Sequence, residues 1–173
     1  STMWKWLKET ILAVVVVVLT TAGAAAAAPS LSDGAHLLTP AEQAEVTAVL
    51  QDTEARYGVR VAVVTVASTK GVKAGTYANQ LLDSTYKDGK NGSMVLAMDT
   101  RDYYLATDTA MRQRISDKGG IPALEEKCLP LLKEKKYADA FKAYALETGE
   151  LLAYYEANGK AYDPHDASVG RPA

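Results

Sequence analysis

The sequence predicts an α/β domain, a small mixed sheet of parallel strands with an antiparallel edge hairpin, covered by helices. Three observations carry this expectation. Helical and β-branched stretches alternate between residues 39 and 98, an order that joins two strands in parallel through a right-handed crossover. The second strand then turns back within "MDTRDYY", a bend too short for a crossover, so the returning segment pairs antiparallel at a sheet edge. Finally, 173 residues of which 48% are apolar suffice for one core, and the chain shows no internal repeat.

Residues 29–37, "PSLSDGAHL", read as a linker and lead-in. Thr39, Pro40 and Glu42 then form a capping box with proline in the first helical position. Val46, Val49, Leu50, Thr53 and Tyr57 follow at spacings of three and four, which buries one helical face, and Gly58 stops the helix. "VRVAVVTVAST" (59–69) is a continuous β-branched run and fits a central strand covered on both sides. A second helix over about 72–87 turns Tyr77, Ala78, Leu81 and Leu82 inward. The strand "SMVLAM" follows, and "DYYLATD" returns beside it. A short helical piece through "AMRQRIS" leads to helices over about 121–134 and 137–157, the first kinked or shortened by Pro130. Ala138, Phe141, Ala145 and Leu152 give the last helix its apolar side. The domain therefore spans 29–158, with a flexible tail over 159–173.

Residues 1–28 have the pattern of an export segment. Lys5 and Lys8 precede "ILAVVVVVL", and an alanine-rich exit follows. A cleaved signal peptide fits best, because the second half is alanine rather than leucine. A retained membrane anchor, with Trp4 and Trp6 at the interface, is the other reading. Both place the domain outside the cytoplasm, in a periplasm, on a cell surface or secreted. The formal charge of −2 and scattered Lys and Arg exclude a nucleic-acid partner. Cys128 is the single cysteine and reads as packing rather than a nucleophile. His36 and His165 complete no catalytic triad.

The acids suggest a site. A helix feeding a parallel strand starts at the carboxyl edge of the sheet, so Asp33 belongs there, and Asp99 leaves the second strand at the same edge. The segment 109–116 returns the chain toward that edge and delivers Asp117. Ligands of open α/β sheets sit there. Three converging carboxylates need a cation, and oxygen ligands suit calcium or magnesium. Taken alone, each of these three acids reads better as a cap than as a ligand. Asp102 fits a turn and Asp108 a helix cap. Arg101, in the bend, is within reach of a phosphate there, though a free surface arginine is the default reading.

Several stretches, in order, resemble the TPM domain family, which includes the thylakoid-lumen acid phosphatase and a photosystem II repair factor. They are "DGAHLLTPAEQAEVTAVL", "YGVRVAVVTVAS", "YANQLLD", "NGSMVLAMDTRDYYLAT" and "LPLLKEKKYADAF", across about residues 31–155. The resemblance implies an αβα sandwich, an extracytoplasmic location and an acidic crevice that binds calcium. Asp33 and Asp117 match the family's acids, with Asp99 beside the arginine of the bend. One departure stands out. Where the family carries a Gly-x-Gly turn after the hairpin, this chain reads "TDTAMRQRIS". Two functions follow as expectations. The first is a noncatalytic, calcium-binding interaction module with envelope or membrane proteins as partners. The alternative is a metal-dependent acid phosphatase acting on phosphomonoesters, with Asp117 and Arg101 as catalytic candidates.

Overall fold

The computed structural model describes residues 28–86 and 89–166. Apart from Ala28, the expected signal peptide or anchor lies outside these residues. Among the described residues no helix is long and apolar enough to cross a membrane.

The described chain runs β1 (Leu31–Asp33), α1 (Pro40–Tyr57), β2 (Arg60–Val66), α2 (Ala74–Thr85), β3 (Asn91–Ala97), β4 (Asp102–Thr107), α3 (Thr109–Arg112), α4 (Gly120–Lys133) and α5 (Tyr137–Asn158). The sheet order is β1-β2-β3-β4. β1, β2 and β3 are parallel, and β4 pairs antiparallel to β3 at the edge. This is the mixed sheet expected from the helix–strand alternation and the short bend.

β1 corrects the reading of 29–37 as linker. Leu31 stands opposite Val63 and Asp33 opposite Thr65, and the Val63 amide donates to the Ser30 carbonyl at 2.8 Å. Three residues are too few for a period-2 pattern to show. The strand is held by its partner rather than by its own propensity.

α1 begins as its capping box dictates. The Glu42 amide donates to Thr39 Oγ1 at 3.2 Å, and the Thr39 amide to Glu42 Oε1 at 2.9 Å. It ends at Gly58 in the left-handed conformation, φ 63°. α4 runs through Pro130 to Lys133, and what the proline removes is the single amide that would reach the Glu126 carbonyl.

Two apolar layers flank the sheet, giving an αβα sandwich. On one side Val61, Val63, Met94 and Leu96 pack against Val46 and Leu50 of α1, Leu124 and Cys128 of α4, and Phe141 and Leu152 of α5. On the other, Ala62, Val64, Val95 and Ala106 meet Ala78 and Leu82 of α2. All seven β3 residues are buried, because both faces and both edges of this strand are covered.

At the amino end of the sheet a half-buried polar latch ties the chain's approach to β1 onto the core. Arg60 Nη1 donates to Ser30 Oγ and to Glu54 Oε2, each at 3.1 Å, and Ser30 Oγ donates to Glu54 Oε1. The Val61 amide donates to Glu54 Oε2 at 3.0 Å. The Arg60 guanidinium lies 5.3 Å over the Tyr86 ring, whose hydroxyl donates to the Pro29 carbonyl at 3.2 Å. Beyond α5, Tyr162 stacks edge-on against Tyr154 at 5.5 Å, so the first residues expected as tail lie against the helices.

Candidate functional site

Asp33 stands at the carboxyl edge, as the topology required, but its carboxylate is committed to the fold. Leu37 N–H donates to Oδ1 at 3.0 Å, Leu38 N–H to Oδ2 at 2.9 Å, and the buried Thr65 hydroxyl to Oδ1 at 2.6 Å. Burial alone pushes the carboxyl's pKa up. The Thr65 hydroxyl, the two amides and Gln43 outweigh that push, and the pKa falls below its ordinary 3.8. Gly34 makes the arrangement possible. A Cβ there would stand 2.8 Å from the Thr65 carbonyl oxygen, so no larger residue lets β1 pass this close to β2.

Asp99 leaves β3 as expected. The β2–β3 pairing continues through its amide, which donates to the Ala67 carbonyl at 3.0 Å. Its side chain turns onto its own neighbour, with Thr100 N–H donating to Oδ1 at 2.9 Å. Arg101 follows in the left-handed conformation at φ 58°, and both it and Asp102 are exposed. Asp108 caps α3, accepting from the Met111 amide at 2.9 Å, and also receives the Asn91 amide at 3.0 Å.

Asp117 is delivered back along β4, where it lines a groove with Tyr103, Tyr104 and Leu105. Its side chain is 73% exposed, and the cation near it is Arg112, at 3.9 Å, rather than Arg101.

Asp33 and Asp99 share a sheet end but not a site, and Asp117 lies beside β4 instead. Asp33 is level with Thr65, and Thr65 with Leu96. Asp99 therefore lies two strand spacings away, about 9.5 Å, and about three residues further along. Among the described residues, no group of three or more His, Cys, Asp or Glu is gathered to hold a metal ion. Asp33 and Asp99 already accept protein hydrogens, and Asp117 faces an arginine. These residues do not fit a shared calcium. Spacing along the chain places an acid at an edge but does not set the distance across it.

The groove beyond β4 is the feature sequence reasoning missed. It encloses about 370 Å³ between β4 and α4, lined by Tyr103, Tyr104, Leu105, Asp117, Ile121 and Glu125. The Asp108 amide donates to the Asn91 carbonyl at 2.9 Å, which fixes the pairing phase. In that phase the backbones of Ala106, Tyr104 and Asp102 face β3, and those of Thr107, Leu105 and Tyr103 face outward. Arg112 Nη2 covers the Thr107 carbonyl at 3.1 Å. Tyr103 and Leu105 remain at the open edge, where the Tyr103 hydroxyl donates to Glu125 of α4. Burial, then that carboxylate, pushes the Tyr103 phenol up to about 12. Tyr104 is 40% exposed on the other face, its ring lying over Gly75 of α2. The signal was present in "DYYLATD": an edge strand with no proline or lysine to blunt its edge.

The layer order and edge hairpin define a small three-layer α/β sandwich with its acids spread apart, Asp33 and Asp99 at one sheet end and Asp117 beside β4. Residues 31–151 match the TPM domain, and the chain belongs to this family. Its fold is shared with the solution structure of the N-terminal domain of a P. gingivalis protein, at 18% identity and a TM-score of 0.64, covering 79% of this chain and 88% of that one. The N-terminal domain of a Corynebacterium glutamicum protein is similar at 20% identity and a TM-score of 0.60, covering 69% and 77%. A protein from the psychrophilic bacterium Bizionia argentinensis aligns at 16% identity and a TM-score of 0.58, covering 75% and 88%. No curated protein matches the sequence.

Proposed function

We propose that this TPM domain is a noncatalytic interaction module that works outside the cytoplasm and takes an extended segment of an envelope protein along the open edge of β4. The observation that carries the reading is that edge itself: outward backbone at Tyr103 and Leu105, bordered by a 370 Å³ groove with an apolar floor. An added strand satisfies those backbone groups, while the groove accepts alternate side chains. Asp117 and Glu125 in the groove, with Asp102 at the strand's start, favour a segment that carries a basic residue. The extracytoplasmic part rests on the Lys5/Lys8, apolar run and alanine exit. The noncatalytic part rests on the scattered acids. Arg101 and Asp117 form no pair that could steady and attack a phosphoryl group, so no observation favours the phosphatase alternative.

Selection of peptides from a displayed random library tests the reading. Binders with alternating apolar residues and a basic residue are expected, shifting the amide signals of Tyr103, Leu105 and Ile121. Leu105→Pro, which removes an outward donor, weakens them by about tenfold or more. Failure to select binders, or binders indifferent to Leu105→Pro, refutes the edge. Turnover of an aryl phosphate that disappears in Asp117→Ala refutes the noncatalytic reading.

A further inference from the structure

A second pocket lies at the amino end of the sheet, away from the carboxylates and the β4 groove. It encloses about 120 Å³ between Tyr57 at the end of α1, Lys90 just before β3, Arg114 after α3, and Leu152, Tyr155 and Glu156 of α5. Arg114 is held in place. Its Nη1 donates to the Ala110 carbonyl at 2.8 Å, and its guanidinium carbon stands 4.9 Å from the centre of the Tyr155 ring. One donor and one face of the planar group are thus used, and the rest of the fork stays uncommitted. The Lys90 ammonium forms no ion pair among the described residues, nor does the exposed Glu156 carboxylate.

We infer that this pocket binds a small oxyanion, a carboxylate or phosphate group, between Lys90 and Arg114. Two half-buried cations against one exposed carboxylate leave a net positive pocket whose charge no other described residue neutralises. An arginine fixed by stacking offers a preformed fork for two oxygens, and the lysine adds a point charge. Tyr57 and Tyr155 supply aromatic walls, and the volume admits the anionic head with a few attached atoms. Glu156, at the rim, opposes the anion and tunes affinity downward. This site is independent of the β4 edge, because the two share no residue.

NMR titration of the full chain with inorganic phosphate, and separately with acetate, at constant ionic strength tests the inference. Saturating shifts at Tyr57, Lys90, Arg114 and Tyr155 are expected at millimolar ligand, and the anion that saturates first identifies the preferred group. Arg114→Gln weakens binding by about tenfold, Lys90→Gln does so without touching the Tyr155 stack, and Glu156→Gln tightens it by about threefold. Shifts that grow linearly without saturating, or affinity unchanged in both Lys90→Gln and Arg114→Gln, overturn the site.

Discussion

Asp33→Asn separates a scaffold role for this carboxylate from a metal-ligand role. The substitution keeps the shape but removes the charge and turns one acceptor into a donor. Asp33 accepts from two amides and from the buried Thr65 hydroxyl. An asparagine oxygen can serve one side of that set, while its NH2 faces a hydrogen that has lost its acceptor. Hydrogen bonds to a charged group contribute about 1.5–3 kcal/mol each, and solvent access to this half-buried side chain reduces that. A net loss of about 2 kcal/mol follows. For a chain of this size it lowers Tm by roughly 6 °C. The assay is thermal unfolding by circular dichroism at neutral pH, with and without millimolar calcium. The same drop is expected in both. A Tm that stays level or rises, as relief of repulsion between unfilled metal ligands would produce, refutes the reasoning. So does a loss seen only with calcium. The pH dependence gives a second check. Because the folded-state pKa lies below its ordinary 3.8, the stabilisation is complete above that value and is lost as pH falls through the folded-state value. The gap between wild type and Asp33→Asn therefore narrows in strong acid.

Further outcomes follow from other residues. Glu54→Ala removes the carboxylate facing Arg60, whose side chain is 23% exposed and keeps only the Ser30 hydroxyl as acceptor. It also leaves the Val61 amide without its acceptor, at a total cost of about 3 kcal/mol in denaturant unfolding. Gly34→Ala drives a methyl against the Thr65 carbonyl and destabilises by about 1–3 kcal/mol on the same measurement, because backbone on both sides has nowhere to move. Burial pushes the Cys128 thiol up to about 12, so the native protein resists a thiol-specific reagent at mildly alkaline pH and reacts once unfolded.

The sequence made the long elements legible and left the short one hidden. Helix α1 carries its own start and stop in Thr39, Glu42 and Gly58. β2 and β3 announce themselves as unbroken apolar runs because both faces are covered. β1 has no such signal, since its identity lies in Val63, Val64 and Thr65, the residues it lies beside. For the site, edge placement was legible and convergence was not. Topology determines which end of a strand Asp33 and Asp99 occupy. Their sideways separation depends on strand order, which no spacing along the chain encodes. The β4 groove needed the path of α4 across Tyr103 and Leu105, a purely tertiary fact.

The latch of Ser30, Glu54, Arg60 and Tyr86 has a mechanical meaning for a chain pulled from the residues that precede β1. Tension arriving through Ala28 and Pro29 is carried first by Tyr86's grip on the Pro29 carbonyl and by the Ser30 contacts, before it reaches the pairing of β1 with β2. Those contacts join at Glu54 in α1 and Arg60 in β2, so the load divides between a helix and the sheet instead of peeling a three-residue edge strand. The shortest strand of the domain is thereby shielded by the residues just ahead of it.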